Sequence, residues 1–106
     1  MAKLESAFAE LGMAMMSEDK NVSVSQMFGM PTLMYGTKAF AGLLEAGMVF
    51  KLTGDARVAA LAMSGSKPFM PMPGRAMKEW IVIDATHQAS WPDFARAAKA
   101  YVALLS

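Results

Sequence analysis

The chain has 106 residues, 55% of them hydrophobic and 18% charged, with a net charge of +1. That size suits a single domain spanning residues 1–106 around one core, and a chain this apolar can offset its ordering entropy, which excludes disorder. The lack of cysteine excludes disulfides, thiolate catalysis and Cys-ligated zinc, while ten Lys and Arg against nine Asp and Glu are too even to bind nucleic acid by bulk charge.

In chain order, Leu4, Phe8, Leu11 and Met15 follow helical spacing and predict a first helix over residues 2–16. Lys3 and Glu5 interrupt what would have to be an unbroken apolar stretch in a secretory signal. The longest apolar runs, such as residues 39–44, fall far short of the roughly 20 residues that span a bilayer. A cytoplasmic chain without membrane contact is therefore expected. Residues 17–21 form a polar break.

After that break the period changes. Short runs rich in Val, Phe, Leu and Met, punctuated by glycine, predict strands over 22–27, 32–35, 38–44 and 48–52. Gly36 and Thr37 suit a two-residue turn of type II′, and Gly47 stands where a three-residue corner would need a left-handed residue. Asp55 is expected to cap a second helix ending at Met63, with Val58, Leu61 and Ala62 inward and Gly65 past its end. Pro68, Pro71 and Pro73 predict an extended loop over 64–74, since proline cannot donate to a ladder. A last strand is expected over 77–83. Trp91, Phe94, Ala95, Ala98, Tyr101, Val102 and Leu105 then mark a final helix, opened by an approximate capping box of Ser90 and Asp93. This order implies an α+β fold: an antiparallel sheet of about five strands with helices on one face.

Few residues suggest chemistry. Met70 and Met72 could hold a soft metal such as copper(I), but methionine is the usual filler of irregular cores, and Met15, Met48 and Met77 fall on inward faces. His87, with Asp84 three residues before it, could serve acid-base work, yet a single His makes a poor metal site. The Gly65-Ser66-Lys67 run has Ala60 where a phosphate loop needs glycine. No catalytic residue, metal or cofactor is expected. Charge is unevenly spread, with acidic residues predominating over 1–21 and six cations against Glu45 and Asp55 over 38–78. Lys51, Lys67, Arg75 and Lys78, with Phe69 and Trp80, could form a mildly basic surface with an aromatic platform.

Gln26-Met27-Phe28-Gly29, Lys38-Ala39-Phe40-Ala41, Gly65-Ser66-Lys67-Pro68-Phe69 and Met77-Lys78-Glu79-Trp80-Ile81, followed by the closing amphipathic helix, occur in an order that resembles the TfoX N-terminal family. The resemblance runs from about Val22 to Leu105. It implies a curved antiparallel sheet with flanking helices, YjbR-like or secretion-chaperone-like, and a place among bacterial regulators of competence. Ending at Ser106, the chain is expected to be a stand-alone version without the family's C-terminal domain. The resemblance implies no catalytic residues. Met30 and Pro31 depart from the more usual glycine after the Met-Phe-Gly segment. The expected activity is that of a non-enzymatic regulatory or protein-interaction domain. Its surface is placed at Met27, Phe28, Gly29, Lys51, Lys67, Phe69, Arg75 and Lys78. Self-association through the exposed sheet face or the last helix is a candidate, with nucleic-acid binding as the alternative and a small-ligand protein or enzyme as the weaker one.

Overall fold

A computed structural model of the chain describes residues 2–27, 30–45, 47–72 and 75–105, with all their side chains except those of residues 2–4, 27, 71, 72 and 75–78. The first helix, α1 (Ala2–Glu18), buries Ala7, Phe8, Leu11 and Met15 as its periodicity requires. It runs two residues past its expected end before the polar break turns the chain. There the Asp19 carboxylate accepts from the Asn21 amide at 2.9 Å, and the Val22 amide donates to the Asp19 carbonyl at 3.1 Å. A side chain that bonds its own backbone two residues on closes such turns without glycine.

Four strands follow: β1 (Val22–Met27), β2 (Met30–Tyr35), β3 (Lys38–Leu43) and β4 (Gly47–Lys51). Gly36 supplies the expected positive φ, at 61°, between β2 and β3. The β2–β3 register slips between Leu33 and Met34, so that Leu33 faces Ala41, Met34 faces Ala39, and Phe40 has no opposite residue. This bulge lets the consecutive residues Phe40 and Ala41 both reach the core, which strict alternation would forbid. Gly47 has a different use from the one its sequence position suggests: its φ is not left-handed, and a Cβ there would overlap the Ile83 carbonyl oxygen of the neighbouring strand. Close approach, not turn geometry, requires that glycine.

The second helix, α2 (Gly54–Leu61), begins one residue before Asp55, and its N-cap position is Thr53. Of the residues expected inward, Leu61 packs against the core, but Val58 is 65% exposed and Ala62, past the helix end, is exposed, while Ala60 is buried. Within the expected loop, residues 67–72 instead form a strand, β5 (Lys67–Met72), paired with β6 (Arg75–Asp84). Proline tolerates this position because β5 is an edge strand, where a missing amide costs no ladder bond on the open side. The sheet therefore has six antiparallel strands rather than five, in the order β1-β2-β3-β4-β6-β5.

Asp84 accepts from the Thr86 amide at 2.9 Å and caps a 3-10 helix over Ala85–Ser90. That helix leads directly into α3 (Trp91–Leu105), so Ser90 is itself helical and cannot serve as the extended N-cap of a capping box. Trp91, Ala95, Ala98 and Val102 of α3 lie against β3 and β4, and the Phe94 ring sits 6.2 Å from Phe50. Val24, Leu33, Ala41, Phe50, Ile81 and Pro68 form a cross-strand row on the helix-covered side of the sheet. Ser25, Thr32, Gly42, Val49, Val82 and Lys67 form the adjacent row on the opposite side. The middle of this second side is closed to solvent: Thr32, Val49 and Val82 are all buried, and Met30 lies across Gly42.

Candidate protein-interaction surface

The two edges of the sheet are built from opposite chemistries. β5 begins with Lys67, contains Pro68 and Pro71, and slips register with β6 twice. Charge, proline and irregularity are the devices that keep an edge from pairing with foreign strands. β1 has none of them. Its sequence is Val-Ser-Val-Ser-Gln-Met, all six residues pair with β2 in unbroken register, and Ser23, Val24, Ser25 and Gln26 are exposed. From Asn21 to Thr37 there is no Asp, Glu, Lys, Arg or His. The outward amides and carbonyls of β1 thus form a neutral template for another strand.

Beside this edge lies an apolar surface that the core does not use. α1 packs on β1, with Gly12 so close to Val24 that a Cβ would come within 3.2 Å of a valine methyl. On the flank outside that contact, Ala9 is exposed, Met13 is 68% exposed and Met16 is 39% exposed. Spacings of four and three put these residues in one stripe. Val24 adds a half-exposed side chain next to it. Of the residues singled out from the sequence, only Met27 falls on β1, and the α1 flank was not among them. The neutral run over 21–37 was the available signal for this surface, and the Val-Ser alternation of β1 was a second.

The residues singled out from the sequence separate in space. Met27 ends β1, and its strand position pairs with Met30; Phe28 and Gly29 lie outside the described residues. Lys67 and Phe69 belong to β5, at the other edge, with Lys67 exposed and Phe69 half-buried. Arg75 and Lys78 belong to β6, and their side chains are outside the described set. Lys51 closes β4, its Nζ 4.0 Å from a Glu79 oxygen and 6.0 Å from each of the Trp80 and Tyr101 ring centroids. The Tyr101 hydroxyl donates to the other Glu79 oxygen, a bond that raises the phenol above its ordinary pKa. This cluster ties the end of α3 to β4 and β6 and occupies Lys51 with local partners. The sheet order consequently sets the β1 hairpin and the β5–β6 cations at opposite ends of the molecule.

His87 is half-buried and tethered: its Nε2 lies 2.7 Å from the Ser64 carbonyl, joining the 3-10 helix to the turn after α2. Asp84 is lowered below the ordinary carboxylate pKa, first by the Thr86 amide and hydroxyl and then by the charge of His87. Met70 is 56% exposed, and the Met72 side chain is outside the described set. Among the described residues no group of three or more His, Asp or Glu is placed to hold a metal ion. A cleft of ≈ 240 Å³ opens between α1 and the start of α3, walled by Ala7, Glu10, Leu11, Ala14, Gln88, Trp91 and Pro92. Trp91 is part of that wall, and its buried indole N–H has no hydrogen-bond partner among the described residues. The single charge on that wall is a carboxylate. None of the described helices is long and apolar enough to cross a membrane.

Comparison with protein-family models, with curated proteins and with solved structures finds no match to this chain.

Proposed function

We propose that the chain is a regulatory protein-interaction domain that engages its partner through the β1 edge and the adjoining flank of α1. The observation that carries this reading is the contrast between the edges: β5 is guarded by Lys67, Pro68 and Pro71, whereas β1 is regular, uncharged and exposed next to Met13 and Met16. Strand addition uses main-chain hydrogen bonds for affinity and neighbouring side-chain contacts for specificity, and both are available here. The resemblance to the TfoX N-terminal family supports the same reading, since it carries a regulatory context and no catalytic residues. Met27, the first residue of the Met-Phe-Gly segment of that resemblance, is the last residue of this edge strand.

Hydrogen exchange at low protein concentration tests the proposal. The outward-facing amides of β1 should exchange far faster than those of β3 and β4, whose amides are shared between two neighbours. Uniformly slow exchange across all six β1 residues would show the edge to be covered and would defeat the reading.

A further inference from the structure

We infer that the partner of the β1 edge is a second copy of this chain, the two β1 strands pairing antiparallel about a two-fold axis to join the sheets. This rests on the interaction reading above and commits it to one occupant. Three observations carry it.

The first is charge. A two-fold axis sets each residue of the strand near its own counterpart region, so any charged edge repels itself. β1 carries no charge, and neither does the rest of the hairpin through Thr37. Every antiparallel register of the six residues brings only Val, Ser, Gln and Met opposite one another.

The second is the α1 flank. An axis perpendicular to the sheet keeps both helix layers on the same side and places the two α1 helices next to each other across the seam. The stripe of Ala9, Met13 and Met16 then meets its own copy, and exposed apolar surface is buried on both sides at once. Methionine, long and unbranched, suits a contact between two identical helix flanks.

The third is closure. If both edges were open, β1 of one copy would add to β5 of the next and the contact would propagate as a fibre. Lys67, Pro68, Pro71 and the two register slips remove that option at β5. Only the isologous pairing is left, and it stops at two copies.

The chain has no native cysteine, so single Ser23→Cys, Ser25→Cys and Gln26→Cys variants accept one spin label each without further engineering. Sedimentation of the unlabelled chain should show a concentration-dependent dimer, with only a modest change between low and high salt because the paired β1 strands carry no charge. Label-to-label distances in the dimer should rise by about 7 Å for each residue moved away from the axis, twice the rise per residue of a strand. A Ser23→Lys/Ser25→Lys variant, altered only at exposed positions, should weaken the dimer roughly tenfold by setting like charges opposite. Its circular dichroism should match the parent's. A chain that stays monomeric at every concentration while its β1 amides exchange fast would overturn the second copy as partner and leave an open edge for another protein. A dimer whose label distances ignore the position along β1, or slow β1 exchange in the isolated monomer, would defeat both the pairing and the edge reading beneath it.

Discussion

Two amphipathic helices cover one side of the same sheet, and they are anchored very differently. α3 crosses its centre, over β3 and β4, and buries Trp91, Ala95, Ala98 and Val102. α1 lies at the margin, against β1, and leaves Met13 and Met16 in solvent. Its C-terminal end is held to α3 by charge: Arg96 grips Glu18 through two nitrogens, at 2.7 Å from Nη2 and 3.1 Å from Nε, and Lys99 stands 3.3 Å from Asp19. A central helix draws its stability from packing, while a marginal one relies on partial packing and exposed ion pairs, which contribute little each. Low local stability belongs where a surface must accommodate a partner.

Substitutions that remove buried volume sharpen this contrast most. Trp91→Ala should cost about 4–5 kcal/mol and Phe8→Ala about 3 kcal/mol by denaturant unfolding, since the central cavity has less freedom to collapse. Equal losses would contradict the ranking. Ala98→Leu comes next: Ala98 is fully buried on the inner face of α3, and overpacking there should cost about 1–3 kcal/mol.

Gly12→Ala should act in the opposite direction on α1. Alanine in a helix interior gains about 0.5–1 kcal/mol over glycine, and among the described residues the tight contact is with Val24, which is half-exposed and free to yield. A net gain below about 1 kcal/mol is expected, and a loss would show that the α1–β1 contact is more rigid than its exposure suggests.

The smallest effect concerns pH. The Arg96 side chain holds Glu18 below the ordinary carboxylate pKa, and the Asn21 amide, followed by Lys99, does the same for Asp19. Lowered folded values mean that the tie is complete above the ordinary carboxylate range and is lost as pH falls through the lowered folded values. Melting temperature should therefore decline on acidification below that range, and Arg96→Gln should flatten the decline. An unchanged acid profile in Arg96→Gln would remove the charge tie from the account of α1.

Periodicity made most of the architecture legible. The limits of β1 were readable to the residue, because a polar break precedes Val22 and the apolar pattern then switches period. The stripes of α1 and α3 were equally plain. β5 was hidden by its prolines, whose meaning depends on whether the strand is central or at an edge, a tertiary fact. Phe40 could not be placed by alternation because a bulge suspends alternation. Val58 and Ala62 were misassigned inward on α2, where eight residues are too few for a face to be read. The candidate surface was the least legible part, because an edge is defined by what fails to pair with it. Lys51 and Lys67 share a charge sign, but β6 separates the strands that carry them.

The insertion of β6 between β4 and β5 has a consequence during synthesis. The first four strands pair only with neighbours in sequence, so their hairpins can close as soon as residue 52 has emerged, each within microseconds. The strand that shields β4 is complete only at Asp84, and a ribosome adding 5–20 residues per second needs roughly 2–6 s to reach it. For that interval Met48, Val49 and Phe50 line an unpaired border of the nascent sheet, apolar surface that the finished fold encloses between β3 and β6.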